Sequence, residues 1–107
     1  MEDRELLELA ARAAGYEVFS FTADHVMVSA NPNHRGFFAW NPLTDDGDAL
    51  RLAVKLAIEI SPCPQHDSVL CEPKGSPESI ITTEALDDYG TRRAIVRAAA
   101  EIGRAMK

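Results

Sequence analysis

The sequence lacks the short motifs that mark common enzyme and nucleotide-binding sites. It contains no G-x-G-x-x-G fingerprint, no phosphate-binding P-loop and no G-x-S-x-G nucleophile turn. Neither of its two cysteines, Cys63 and Cys71, stands in a known catalytic or cofactor-binding signature. We therefore expect a non-catalytic protein that uses no cofactor.

Long apolar runs are also missing, and so is an excess of basic residues. No run approaches the roughly 20 residues of a membrane span, and the acidic N-terminus lacks the basic start of a signal peptide. We expect a cytoplasmic protein without a membrane partner, whose cysteines are reduced thiols. The net charge of −6 opposes direct binding to nucleic acid, because such binding depends on neutralising phosphates with Lys and Arg.

What is present fits one small domain, 1–107, with 46% hydrophobic residues and a modest core. Three stretches have the apolar periodicity of amphipathic helices, 2–14, 45–58 and 88–106. On the second helix, the residues expected to face the core are Leu50, Ala53, Val54 and Ala57, with Ala49, Leu52 and Leu56 widening that face.

Strand patterns lie between these helices. A hairpin is predicted over about 16–22 and 25–30, and two further strands over 68–71 and 80–83, with a turn at 74–77. The fold class is therefore α+β. We expect three amphipathic helices packed on a small, mostly antiparallel sheet, in the order α-β-β-α-β-β-α.

An aromatic cluster, Phe37, Phe38 and Trp40, precedes the second helix. We expect a short extended segment there whose rings pack on the core. The alternative is that these rings form the face of a homodimer.

The acidic stretch Asp45–Asp48 allows two interpretations. Carboxylates in a D-D-x-D spacing could hold Mg²⁺ or Ca²⁺ through oxygen ligands. However, Pro42 prevents an earlier helix, so Thr44 or Asp45 is placed to cap the first turn, and the following carboxylates are favoured by the helix dipole. We expect a helix cap and no metal.

A second possible metal site has the spacing C-x2-H-x4-C, from Cys63, His66 and Cys71. Thiolate and imidazole are good zinc ligands, but a structural zinc site takes four. His25 or His34 could supply the fourth only through an unseen contact in the fold. We therefore expect a loop histidine and two free thiols.

The start of the last helix is ambiguous, because Asp87, Asp88 or Thr91 could cap it. If the helix begins at Thr91, its free backbone N–H groups and the side chains of Arg92 and Arg93 could meet an anion. The other interpretation is a solvated helix face.

Two blocks, WNPLTDDGDALRLAVKL (Trp40–Leu56) and TRRAIVRAAAEIGRAM (Thr91–Met106), resemble the phage α-β-α sandwich domain family of small phage and prophage proteins. The segment RELLELAARAAG near the start is also similar. The resemblance implies a three-layer sandwich with a central sheet and a viral or prophage gene. It implies no activity and no catalytic or binding residues, and the segment 59–87 lies outside it.

The first functional hypothesis is a phage accessory protein that binds and inhibits a host protein, such as a CRISPR complex or another antiviral defence component. Machines that handle nucleic acid expose basic grooves, which an acidic protein complements. The candidate contacts are Asp45, Asp46, Asp48, Asp87 and Asp88.

The alternative is a module that sequesters a phosphate-containing immune signalling nucleotide. Arginines would hold the phosphates and an aromatic ring would stack on the base. The candidate contacts are Arg92, Arg93, Arg35, Trp40 and Tyr89. A third hypothesis is a structural or assembly factor of the phage.

Overall fold

The computed structural model describes residues 2–22, 25–29, 36–75 and 79–106. Within them, each of the first two helices is followed by three strands, and a third helix ends the chain. The elements are α1 (Asp3–Ala14), β1 (Glu17–Phe21), β2 (Val26–Ser29), β3 (Phe38–Trp40), α2 (Asp46–Lys55), β4 (Ile58–Cys63), β5 (Ser68–Pro73), β6 (Thr82–Ala85) and α3 (Asp88–Ala105).

The α+β class is confirmed, and the described residues form six strands instead of the four expected. They form two antiparallel sheets of three, which we name sheet A (β1-β2-β3) and sheet B (β4-β5-β6). The additional strands are β3, which lies in the predicted extended segment, and β4, whose first residue, Ile58, is also the last residue of the predicted second helix. Of the predicted turn 74–77, residues 76 and 77 lie outside the described part of the chain.

Helix α1 follows its predicted pattern. Leu6, Leu7, Ala10 and Ala14 are buried along one face. Gly15 has φ 79° and its backbone N–H returns to the last turn of the helix, which is the left-handed stop that glycine favours. The chain then enters β1 directly.

Helix α2 begins as predicted, because the side chain of Asp45 accepts a hydrogen bond from the backbone N–H of Asp48 at 2.8 Å. It ends at Lys55, three residues before the predicted end. The cause is Ala57, whose φ of 53° reverses the chain into β4. Nothing in an alanine signals this left-handed conformation, which residues other than glycine rarely adopt.

The predicted inner face of α2 is wrong at three positions. Leu50 is 60% exposed and Val54 73% exposed, and Ala57 is exposed beyond the end of the helix. The buried face is Ala49, Leu52 and Ala53. The small alanines let α2 lie close to α3, so the buried strip is narrow and excludes the bulkier neighbours on the adjoining face.

Helix α3 is the centre of the fold. It packs against α1 most extensively and also against α2, β5 and β6. Five small side chains of α3 are almost fully buried and belong to one hydrophobic core with α1, α2 and both sheets: Ala94, Val96, Ala98, Ala99 and Ala100. None of the described helices combines the length and the apolar composition needed to cross a lipid bilayer.

The aromatic cluster before α2 is divided between core and surface. Trp40 is 2% exposed and meets the ring of Tyr16 edge to face at 5.5 Å. Phe37 and Phe38 remain 52% and 38% exposed. Packing on the core is therefore confirmed for Trp40, and the homodimer face stays a prediction.

Candidate protein-binding surface

Two of the predicted acidic contacts serve to start α2. Asp45 caps the helix, as described above. The carboxylate of Asp48 is largely buried, accepts a hydrogen bond from the backbone N–H of Asn41 at 3.0 Å, and pairs with Arg51 at 2.8 Å. Hydrogen bonding to Asp48 raises the pKa of Arg51. Asp48 therefore holds the preceding loop against the helix.

The two aspartates at the start of α3 differ in their environment. Asp87 caps the helix, because its side chain accepts a hydrogen bond from the backbone N–H of Gly90 at 2.6 Å. Asp88 is the first helical residue and is exposed. Among the described residues, its carboxylate has no hydrogen-bond or ion-pair partner. Asp88 is thus a carboxylate that a partner can reach.

The arginines of the phosphate-binding hypothesis are engaged within the protein. Arg92 donates from Nε to the carbonyl oxygen of Leu43 at 2.9 Å and pairs with Asp46 at 2.6 Å. Arg93 pairs with Asp3 at 2.9 Å, and this hydrogen bond raises the pKa of Arg93. The two side chains connect α3 to the start of α2 and to the start of α1.

The remaining residues of that hypothesis are not brought to a common site in the described structure. Trp40 is in the core and has no exposed face on which a base could stack. Tyr89 is 58% exposed, and Arg35 lies outside the described residues. Helix α3 begins at Asp88, so acidic Asp87 and Asp88 occupy its positive end. The arrangement does not favour a phosphate ligand.

The cysteines lie on neighbouring strands but differ in exposure. Cys63 is half-buried at the end of β4, and Cys71 is fully buried in β5, opposite Ile60. Burial raises the pKa of the Cys71 thiol from 9.0 to about 11, which disfavours the reactive thiolate. His66 is exposed in the short helical turn between the strands. Within the described residues, no three His, Cys, Asp or Glu side chains are grouped as metal ligands.

A polar cavity of about 660 Å³ lies beside the first turn of α1, the end of β1 and the loop before α2. Its charged groups already have partners: Asp3 pairs with Arg93, and the guanidinium of Arg4 stacks over Phe21 at 4.3 Å from the ring centre. His25 and Thr22 flank the undescribed residues 23 and 24. The described side chains do not form a nucleophile and base pair here.

The most unusual surface feature is the exposed side of α2. Leu50 and Val54, one turn apart, both project into solvent although the opposite side of the same helix is buried. Ile60 of β4 and Tyr89 of α3 are also exposed, at 36% and 58%. Single exposed apolar side chains are ordinary, but an apolar pair at helical spacing is a feature of binding faces.

A groove of about 260 Å³ lies where α2, β4 and α3 meet. We name it the α2–β4 groove. Its apolar part is formed by Leu50, Ile60 and Ile95, and its polar rim by Asp46, Asp88 and Arg92. Asp46 and Arg92 neutralise each other in their ion pair, so the unpaired carboxylate of Asp88 makes the rim negative.

Sequence reasoning therefore identified part of this surface and missed the rest. Asp46 and Asp88 were predicted contacts and both line the groove. Leu50 and Ile60 were missed, because an apolar residue on an amphipathic helix or strand is assigned to the core by default. The available signal was the width of the apolar arc on α2, which exceeds what one buried face needs.

Comparisons of the chain with family models, curated proteins and solved structures found no match. The resemblance to phage α-β-α sandwich proteins therefore stays a prediction from the two sequence blocks. What the structure itself provides is an apolar groove whose rim carries the unpaired carboxylate of Asp88.

Proposed function

We propose that this chain is a non-catalytic accessory protein that acts by binding another protein through the α2–β4 groove. The observation that supports the proposal is the exposure of Leu50, which lines the groove together with Ile60, and of Val54, one turn further along the same side of α2. Leaving these side chains in water forgoes roughly 1.5–3 kcal/mol of burial free energy per residue. A partner that covers them recovers part of it.

The charge of the surface selects the kind of partner. Asp88 is unpaired at the rim, and the protein carries a net charge of −6. A partner with Lys or Arg beside an apolar segment complements both properties, whereas an acidic partner or nucleic acid is repelled. Steering by these charges raises the association rate and weakens as salt is added.

The biological setting in the proposal rests on the sequence resemblance. If the chain is a phage or prophage protein, it acts in the cytoplasm of the bacterial host and its partner is a host protein. Antiviral defence complexes expose basic surfaces that bind nucleic acid, so they suit an acidic inhibitor. Inhibition would then follow from covering such a surface.

The experiment is a comparative capture from bacterial lysate that contains an active defence system. The wild-type protein and a Leu50→Lys/Val54→Lys variant are immobilised at equal density and their bound proteins are identified by mass spectrometry. Ile81→Lys is the matched control, because Ile81 is 55% exposed but lies outside the groove, beside α1 and the end of α3.

The proposal expects a host protein that the wild type and Ile81→Lys capture and the double variant does not. Its recovery falls between about 50 mM and 500 mM salt, because part of the attraction is electrostatic. The proposal is wrong if the double variant captures the same proteins at the same yield as the wild type.

A further inference from the structure

In the part of the chain that the structure describes, no strand pairs with the outer edge of β4. The backbone N–H of Lys74 donates to the carbonyl oxygen of Ala57 at 2.9 Å, and Ile58 lies opposite Pro73. In an antiparallel ladder this makes Ile58 and Pro73 a non-hydrogen-bonded pair, so the N–H and C=O groups of Ile58 point away from β5. The N–H and C=O groups of Ile60, two residues further along β4, also point away from β5.

No described strand pairs with that edge, because sheet B has the order β4-β5-β6. None of the described backbone hydrogen bonds between elements involves the N–H or C=O of Ile60. Pro62 is the next residue whose backbone faces away from β5. Proline has no N–H, so β5 loses no hydrogen bond there, but an added strand could not be hydrogen-bonded by an N–H at position 62. The open edge is therefore short and centred on Ile60.

Helix α2 runs beside this edge, so that residues of α2 and β4 at equal distances from Ala57 lie next to each other. From the reversal at Ala57, Leu50 lies seven residues back along the helix, which is about 10 Å, and Ile60 lies three residues forward along the strand, also about 10 Å. Both side chains accordingly line the same groove. Val54 and Ile58, which are both about 4 Å from Ala57 along their elements, are expected to be neighbours in the same way.

Helix α2 lies on the β4 side of the helix layer. Helix α3 packs beneath β5 and β6 and touches β4 less, whereas α2 packs against α3 and β4. A further strand, placed about 4.8 Å beyond β4, would lie over the exposed side of α2. Leu50 and Val54 are the side chains that such a strand would cover.

We propose that sheet B accepts a fourth strand from the partner, paired to β4 at Ile58 and Ile60 and seated on Leu50 and Val54 of α2. This inference rests on the proposed function and specifies its binding mode. The occupant is an extended segment with apolar side chains at alternate positions and a Lys or Arg at the end nearest Asp88. Main-chain hydrogen bonds provide affinity, and the alternating side chains provide specificity.

The test uses the full chain, labelled with ¹⁵N, and a blocked heptapeptide of alternating Lys and Val as the probe. Titration by NMR gives the affinity, and amide hydrogen exchange reports on Ile60. Two further peptides carry N-methyl groups on all Val or on all Lys residues. In a paired strand only one of these alternate sets donates to β4, so one methylated peptide binds like the parent and the other does not.

We expect binding in the micromolar to millimolar range, at least tenfold slower exchange of the Ile60 amide in the complex, and loss of binding for one methylated peptide alone. The Leu50→Lys/Val54→Lys variant should bind at least tenfold more weakly, and Ile81→Lys should bind like the wild type. Absence of binding at about 1 mM peptide overturns the inference.

The inference and the proposed function fail in different ways. If the double variant loses the peptide but the Ile60 amide exchanges freely and both methylated peptides bind equally, the partner does not add a strand. The groove then remains the binding surface, and the proposed function stands. If lysate capture does not depend on Leu50 and Val54, the proposed function fails regardless of the peptide result.

Discussion

Gly103 of α3 lies directly against the carbonyl oxygen of Leu9 in α1, so closely that a Cβ at position 103 would overlap that oxygen and its carbonyl carbon. The two helices form the most extensive packing between elements in the described fold. The glycine is needed here for space, and not for an unusual backbone conformation, because it lies within the regular helix.

Replacing Gly103 with Ala should therefore destabilise the protein. The obstructing atoms belong to the backbone of α1, so the helices must separate, and we expect a loss of about 2–4 kcal/mol in the free energy of unfolding measured with urea. Gly75→Ala is the control, since nothing lies near its Cβ, and it should change stability by less than about 1 kcal/mol. Equal stability of the two variants would contradict the close contact.

The three aspartates at helix starts should separate folding from binding. Asp45→Ala and Asp87→Ala each remove a side-chain cap, so each should cost about 1 kcal/mol of unfolding free energy. Asp88→Ala removes only a favourable charge at the positive end of the helix dipole, and it should lower the unfolding free energy by about 0.3 kcal/mol. In the capture experiment the order reverses, with Asp88→Ala giving the largest fall in partner recovery. A fall for all three in proportion to stability would argue against a role for Asp88 in binding.

Arg92 should contribute to stability and not to the binding of a phosphate. Its guanidinium bonds the Leu43 carbonyl oxygen and Asp46, so Arg92→Ala leaves a half-buried acceptor unsatisfied and should cost about 1–2 kcal/mol in urea unfolding. Arg104→Ala, which removes an exposed pair with Glu101, should cost less than about 0.5 kcal/mol. An undiminished stability for Arg92→Ala, together with binding of a nucleotide by the wild type, would restore the phosphate hypothesis.

The sequence predicts the helices and the first hairpin well because each is specified locally. The stripe of Leu6, Leu7 and Ala10 and the stop at Gly15 specify α1, and the residues that cap α2 and α3, Asp45 and Asp87, are among the cap residues predicted. These signals are short-range hydrogen bonds and periodicities, which the residues carry regardless of the tertiary fold.

The width of the apolar arc on α2 indicates that part of it is exposed, but which part is exposed, and where β4 begins, depend on tertiary contacts. At about 100° per residue, Ala49, Leu52 and Ala53 span an arc of about 100°, and Leu50 and Val54 fall outside it. Choosing between these arcs requires knowing where α3 lies. Ile58 and Ile60 alternate with polar residues, but the helix pattern runs into them, and only the reversal at Ala57 separates the two elements.

Cys71 gives the stability of the protein a specific pH dependence. Its thiol has a pKa of about 11 in the fold and 9.0 when exposed, so the unfolded chain releases the proton first as the pH rises. The contribution is fully present below pH 9 and is lost between about pH 9 and 11, with a total of up to about 3 kcal/mol. Urea unfolding across this range should show a steeper decline for the wild type than for Cys71→Ala. Parallel declines would contradict the burial of the thiol.

The exposed and buried leucines of α2 allow the contributions of its outer and inner sides to stability to be compared. Leu52 is 2% exposed, so Leu52→Ala should cost about 2–4 kcal/mol in urea unfolding. The double change Leu50→Lys/Val54→Lys should cost less than about 1 kcal/mol, because both side chains are already in water and lysine favours a helix slightly more than valine. Circular dichroism should show unchanged helix content.

This contrast decides between folding and binding as the reason for the apolar surface. If the double variant keeps its stability and loses its partner, Leu50 and Val54 serve recognition, because their replacement leaves the fold intact. If it unfolds as readily as Leu52→Ala, the two side chains contribute to the core and the loss of binding would only report a damaged fold. The proposal for the α2–β4 groove requires the first result, and the stability measurement should therefore precede any capture experiment.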